Sequence, residues 1–315
     1  MKTAFLFSGQ GSQSIGMGFD LYQNFSVAKD VFQEVDDTLH QDLSTLMFQG
    51  DLATLTQTQN AQPAIMAVGM AVVRVLEKEL GYLISEKAAL MAGHSLGEYT
   101  ALCAAGALTL SETTRLLQHR GRAMADAAQK KTGGMLAILG LSIEQVQTVL
   151  TFASTPTEQT FIANDNCPGQ IIVSGHSAAL ERVKEEAQKL GAKRVIPLAV
   201  SGAFHCPFMQ KAQEQMFPLI TKANITSPKC PVVSNITAHP ETDPTVIKNN
   251  LIAQITGTVR WRESITYIIN QGIDTFIECA NGKVMAGLVR RMTGEANIIS
   301  VGDSSSVTEA LNFFQ

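Results

Sequence analysis

The chain has no Cys-x-x-Cys pair. Its five cysteines, Cys103, Cys167, Cys206, Cys230 and Cys279, are scattered, and its six histidines do not join them at zinc-ligand spacing. Neither a disulfide framework nor a metal site is expected, and a reducing, cytoplasmic setting is the simplest account. No apolar run approaches the roughly 20 residues that span a bilayer. The opening, MKTAFLFSGQGSQ, turns to glycine and glutamine after a very short apolar stretch, so no secretory signal is expected. Positive charge is not in excess: 24 Lys and Arg against 28 Asp and Glu leave a net charge of −4. That argues against general nucleic-acid binding, which needs a basic surface, although a local basic patch stays open. Internal repeats, low-complexity tracts and long linkers are also missing.

What is present is an ordinary globular composition, 45% hydrophobic and 17% charged over 315 residues. That length allows two domains, or one large domain with a smaller insert. Segment 3–9 reads as a short buried strand stopped by glycine. Segment 62–81 reads as a helix, with Pro63 in its first turn and Gly81 just after its end. A strand over 87–93 and a small-residue helix over 96–108 follow, then a helix over 111–128. The middle of the chain reads strand 134–140, helix 142–153 with a Ser142…Gln145 capping box, strands 160–164 and 170–175, helix 177–191 and strand 193–200. This βαββαβ order is the ferredoxin-like arrangement. Alternating helices and strands then resume. The predicted fold is an α/β core, 1–129 and 201–315, interrupted by an α+β insert at 130–200.

Within MAGHSLGEYT, Ser95 stands in a Gly-x-Ser-x-Gly pattern between a predicted strand and a predicted helix. That is the setting of a nucleophile elbow, which lifts a serine out of the sheet top and aims helix N-terminal amides at the reaction centre. The bland alternative is a tight turn. A serine nucleophile needs a base and oxyanion donors. His94 adjoins Ser95, so its side chain diverges and a packing role is expected. His40, His119, His176 and His239 read as solvated surface. His205 lies where the chain re-enters the core from the insert, near a domain junction where clefts form. Cys206 beside it reads as an inert buried thiol.

One arginine is out of place. On helix 111–128 the apolar residues fall at Leu116, Leu117, Ala123, Met124 and Ala127, and Arg120 sits on that stripe. Arg115 and Arg122 fall on the polar face. A buried guanidinium is costly without an anion. The anion is either an internal Asp or Glu or a carboxylate on a substrate, which the planar fork matches bidentately.

Taken in order, FLFSGQGSQSIGMG, TQNAQPAIMA, GHSLGEYTAL, HRGRAM, ANDNCPGQIIVSG, AKRVIPLAVSGAFHCPFM, TGTVRWRESI and GKVMAGLVRR resemble the malonyl-CoA:acyl carrier protein transacylase family over nearly the whole chain. The resemblance implies an α/β-hydrolase-like core with a ferredoxin-like insert. It implies Ser95 as nucleophile and His205 as base, with the backbone amides of Gln10 and Leu96 as oxyanion hole. It further implies that Arg120 pairs with a malonyl carboxylate beside Met124. Phe204 would disfavour branched acyl groups, Asn164 would lie near the pantetheine arm, and the Arg260 backbone carbonyl would hold the histidine. Two stretches depart from the family pattern. Ser8-Gly9-Gln10-Gly11 stands where PGQG is usual, on the loop carrying Gln10. Ala280-Asn281-Gly282-Lys283-Val284-Met285 stands where GPGKVL is usual, on a turn whose role the sequence does not explain.

The implied reaction is a ping-pong transfer from malonyl-CoA to the phosphopantetheine thiol of acyl carrier protein in fatty acid biosynthesis, without metal or redox cofactor and by a monomer. A free-standing acyltransferase loading a polyketide synthase carrier is the near alternative. An esterase or lipase would need an Asp or Glu between Ser95 and a late histidine. The only Asp residues between Ser95 and His205, Asp126 and Asp165, are poorly placed, and the chain has no Asp-Gly for a patatin-like dyad. A carrier-binding scaffold with a dead site would take no acyl group. The basic run Lys283…Arg290-Arg291 reads either as a solvated helix end or as a surface for an acidic carrier.

Overall fold

A computed structural model describes residues 2–128 and 133–314. The chain opens with β1 (Thr3–Phe7), then α1 (Phe19–Asn24), α2 (Ser26–Leu39), α3 (Leu43–Gln49), α4 (Leu52–Thr56) and the long α5 (Thr58–Leu80). A single turn, α6 (Ile84–Lys87), leads to β2 (Leu90–Gly93), α7 (Gly97–Ala104) and α8 (Leu110–Ala128). Next come β3 (Gly133–Leu139), α9 (Ile143–Ala153), β4 (Thr160–Cys167), β5 (Gln170–His176), α10 (Ser177–Lys189) and β6 (Arg194–Pro197). The chain finishes with α11 (Gln210–Lys222), β7 (Val232–Val233), β8 (Pro240–Glu241), α12 (Pro244–Gln254), α13 (Trp261–Asn270), β9 (Thr275–Cys279), α14 (Val284–Arg290), β10 (Asn297–Val301) and α15 (Ser304–Phe314).

Two sheets result. The larger has the order β10-β9-β1-β2-β7-β8, parallel except for the β7–β8 pair. Its inner strands β1, β2 and β9 are buried along their whole length, as expected of parallel strands covered on both faces. Helix α5 is apolar nearly all round and buried through most of its length, which places it inside the molecule rather than on its surface. The smaller sheet is antiparallel, in the order β4-β5-β3-β6, with α9 and α10 packed on it over one shared core. That strand order and the βαββαβ succession are those of the ferredoxin-like arrangement. The expected junction at 129/130 lies outside the described residues. Among the described residues, no helix is long and apolar enough to cross a membrane.

Three local expectations need correction. Pro63 lies inside α5 rather than in its first turn, because the helix begins at Thr58 and the polar residues Asn60 and Gln62 are buried within it. The strand expected over 87–93 is confined to Leu90–Gly93, since Lys87 closes α6. Residues Asp165–Cys167, read as turn, belong to β4. Register shifts between Ile162 and Asn164 and between Asp165 and Cys167 break the alternation that would have marked them as strand. The capping box forms in both directions between Ser142 and Gln145, and Gly81 ends α5 with φ 76°.

The smaller sheet is fixed to the larger unit along β4. Asn164 bridges Val259 in parallel, with Val259 N donating to Ala163 O at 2.8 Å and Asp165 N to Val259 O at 2.9 Å. Arg262 grips Asp165 with two bonds from Nε, at 3.0 and 2.9 Å, and one ion-pair contact from Nη2 at 2.8 Å. The Asp165 side chain is only 2% exposed. Asp165→Ala is expected to lower stability by about 1.5–3 kcal/mol, the range for hydrogen bonds to charged groups. Thermal denaturation checks this, and an unchanged Tm would contradict it.

Candidate active site

In open α/β sheets the loops beyond the carboxyl ends of the strands converge on a crevice. Here β1 delivers Gln10, β2 delivers Ser95, and β7 delivers Asn235 beside it. Ser95 has φ 54°, a left-handed backbone that costs a non-glycine residue on the order of 1–3 kcal/mol. The strain therefore sits on the serine itself. Gly97 serves close approach: a Cβ there would lie 2.4 Å from the Phe7 carbonyl oxygen.

Three buried side chains hold the turn. Asn235 Oδ1 accepts from the Ser95 amide at 2.7 Å, and Asn235 Nδ2 donates to the Gly93 carbonyl at 2.8 Å. Glu98 Oε2 accepts from the Asn235 amide at 3.0 Å and from Gln254 Nε2 at 2.7 Å. Gln254 Nε2 also donates to the Ser95 carbonyl at 2.9 Å. Burial raises the Glu98 carboxyl to about 7, against the pull of the hydrogen bonds from Asn235, Gln254 and Ser234.

The Ser95 hydroxyl lies 2.8 Å from His205 Nε2. His205 Nδ1 lies 3.0 Å from the Gln254 carbonyl oxygen. A carbonyl only accepts, so Nδ1 carries the proton and Nε2 is free to take one from the serine. Gln254 is the last residue of α12, where carbonyls lack partners within the helix. The negative helix end also favours the imidazolium that proton transfer creates. Arg260 does not fill this role. Its carbonyl accepts from the Ser264 amide at 3.0 Å at the start of α13, and its side chain pairs with Glu263. His205 also has φ 54°, and its loop is tied by the Ser174 hydroxyl donating 2.6 Å to the Phe204 carbonyl.

Arg120 is 1% exposed, while Arg115 and Arg122 face solvent. Among the described residues it makes no ion pair. Nη1 donates to Gln62 Oε1 at 2.8 Å, and Nη2 to Gln254 Oε1 at 2.8 Å and to Ser95 Oγ at 3.1 Å. The guanidinium lies 5.7 Å from the Tyr99 ring centre. Burial pulls its pKa below the ordinary arginine value, with Tyr99 and Glu98 opposing. This is a cation beside the nucleophile, dressed in neutral amides.

A cleft of about 280 Å³ collects these groups. Of the residues singled out in the sequence, Ser95, His205, Gln10, Leu96, Arg120, Met124, Phe204 and Asn164 line it, and Arg260 does not. His94 also borders it, its Nε2 donating to Asn166 Oδ1 at 2.9 Å and its ring resting on Trp261. Among the described residues, neither the Gln10 nor the Leu96 amide is used by a hydrogen bond within the fold. Sequence patterning missed Gln62, Glu98, Asn235 and Gln254. Glu98 sits inside the quoted GHSLGEYTAL run, and a single charge on an otherwise uncharged helix was the available signal.

Burial, then the Arg120 charge, push His205 down to about 3. A depressed folded value means the neutral ring is favoured by the fold. That contribution to stability is complete above the unfolded value of about 6.5 and is lost as pH falls from there toward 3. The base is therefore expected to stay neutral through weakly acidic pH. The acid limb of kcat/KM should lie well below about 6.5, and a limb near about 6.5 that persists in Glu98→Gln would contradict this.

The acyl transferase domain family matches residues 4–304. A malonyl CoA-acyl carrier protein transacylase of Bacillus subtilis (strain 168) is 42% identical over 310 residues, covering 98% of this chain and 96% of that protein. The crystal structure of an acyl-carrier-protein-S-malonyltransferase from Bartonella henselae superposes with a TM-score of 0.96 at 44% identity, covering 99% of both chains. The malonyl-transacylase solved in complex with a type II PKS acyl-carrier protein gives 0.95 at 35% identity, covering 99% of this chain and 100% of that one. With nearly all of both sheets and the whole cleft falling inside residues 4–304, the chain belongs to the acyl transferase domain family.

Proposed function

We propose that the chain moves a malonyl group from malonyl-CoA to the phosphopantetheine thiol of acyl carrier protein, through a malonyl-Ser95 ester, in cytoplasmic fatty acid biosynthesis. The observation that carries the malonyl assignment is Arg120. It is a buried cation 3.1 Å from the nucleophile that pairs with no carboxylate among the described residues.

His205 Nε2 takes the Ser95 proton as Oγ attacks the thioester carbonyl. The oxyanion is received by the amides of Gln10 and Leu96, each such donor being worth on the order of 3 kcal/mol. The tetrahedral species collapses, the C–S bond breaks, and His205 returns the proton to the CoA sulfur. The carrier thiol then repeats the attack in reverse, with His205 again as base. Protons and electron pairs balance within this set, so the cycle calls for no metal or redox group.

Three of the five guanidinium N–H groups of Arg120 are used within the fold, one of them on Ser95 Oγ. A malonyl carboxylate would take that hydrogen together with a remaining one on Nη1. The same step removes a donor from the attacking oxygen. Acetyl and longer acyl groups lack this carboxylate and lose that gain. Met124, Phe204 and Asn164 line the cleft; in this reading Met124 and Phe204 take the acyl end and Asn164 the pantetheine arm. A neighbouring cavity of about 500 Å³ shares Gln10 and Val200 with the cleft and gives that arm room to enter. The core and insert divide at 129/130 and 200/201 in this reading.

Intact-mass measurement after mixing with malonyl-CoA tests it. One malonyl adduct is expected on the parent chain and none on Ser95→Ala. Arg120→Ala is expected to lose preference for malonyl-CoA over acetyl-CoA by about 10²-fold or more, from loss of a charge-assisted bidentate contact. An adduct on Ser95→Ala, or equal labelling of the parent chain by both donors, would overturn it.

A further inference from the structure

The loop that carries Gln10 is tied to the β9–α14 turn by two side chains. Ser8 follows β1, and its hydroxyl donates 3.0 Å to Glu278 Oε1. Glu278 is fully buried at the end of the adjacent strand β9. Its carboxylate also accepts from the amides of Met285 and Ala286, at 2.9 and 3.0 Å, and from the Ser300 hydroxyl at 3.0 Å. On the other side of the loop, Asn281 Nδ2 donates 2.7 Å to the Ser12 carbonyl and 3.0 Å to Ser14 Oγ.

Gly9-Gln10-Gly11 spans the interval between these anchors. Gly9 presses on the nucleophile turn: a Cβ there would fall 2.8 Å from the His94 carbonyl oxygen. The Ser12 hydroxyl returns to the Gly9 carbonyl at 3.1 Å, and the Gln13 side chain accepts from the Gly11 amide at 2.8 Å. The Gln10 residue is itself exposed, so no packing of its side chain fixes its backbone. Its amide is placed by what holds its neighbours.

Ser8 and Asn281 are two of the positions where the chain departs from the pattern of the family it resembles, and that pattern has proline at both. Proline stiffens a loop by locking φ. Here the two positions carry side chains that reach across and bond. We infer that Ser8 and Asn281 are positioning residues for catalysis: together they hold the Gln10 amide in register with Ser95 as oxyanion donor. The inference rests on the oxyanion role proposed for that amide. An oxyanion donor acts on the transition state, so its misplacement lowers kcat and leaves substrate binding unchanged. A merely structural pair would lower Tm without that split.

The test compares Ser8→Ala, Asn281→Ala, their double variant and Gln10→Pro, which removes the amide hydrogen itself. Rapid-quench intact mass gives the Ser95 acylation rate and its dependence on malonyl-CoA concentration, with Tm measured alongside. Gln10→Pro is expected to lose about 10²–10³-fold in rate. The double variant is expected to lose about ten-fold or more, with half-saturation changed by less than about two-fold. If the double variant does not fold, each single variant is expected to lose about three-fold or more in the same rate, with half-saturation again unchanged. A double variant acylating within about two-fold of the parent, while Gln10→Pro is slow, would overturn the positioning role alone. A Gln10→Pro variant that acylates at the parent rate would overturn the oxyanion role and this inference with it.

Discussion

The Ser95 hydroxyl is contacted by a neutral base and by a cation at once. His205 Nε2 lies at 2.8 Å and Arg120 Nη2 at 3.1 Å. Burial, and after it the arginine's charge, oppose protonation of the imidazole, which keeps the histidine a base. Gln254 joins the two. Its side-chain oxygen accepts from Arg120, its amide nitrogen donates to Glu98 and the Ser95 carbonyl, and its backbone carbonyl accepts a hydrogen bond from His205 Nδ1. One residue at the end of α12 thereby sets the distance between base, cation and nucleophile.

The cost of this arrangement is borne by the surrounding fold. Ser95 and His205 both sit in left-handed backbone, and Arg120 and Glu98 are both buried. Each of these costs stability on its own. They are held because Asn235, Gln62 and Gln254 supply neutral hydrogen bonds from three different elements. The parallel strands bring these groups together beyond their carboxyl ends. Polar groups held by hydrogen bonds from several elements are what a preorganised oxyanion site requires.

Much of this was legible before the structure. The elbow around Ser95, the stripe position of Arg120 and the re-entry loop of His205 each carry a residue type with its own chemistry. The βαββαβ order was readable because its helices are amphipathic and its strands short and bounded by turns. What was not legible has a common character. Gln254 acts partly through a backbone carbonyl, which any residue could provide, so the role assigned to Arg260 had no side-chain signature to check it. Gln62 and Asn235 are amides that look like ordinary polar positions until the fold buries them. The Asp165–Cys167 stretch was misread because bulges erased its alternation.

The central claim is that Ser95 carries an acyl group whose carboxylate rests on Arg120. A crystal structure of the protein trapped with malonyl-CoA in the absence of a carrier tests it most directly. The account predicts an ester on Ser95 Oγ, with its free carboxylate bidentate on the Arg120 guanidinium and the former Arg120–Ser95 bond gone. An ester whose carboxylate points to solvent, with Arg120 still held only by Gln62 and Gln254, would contradict it.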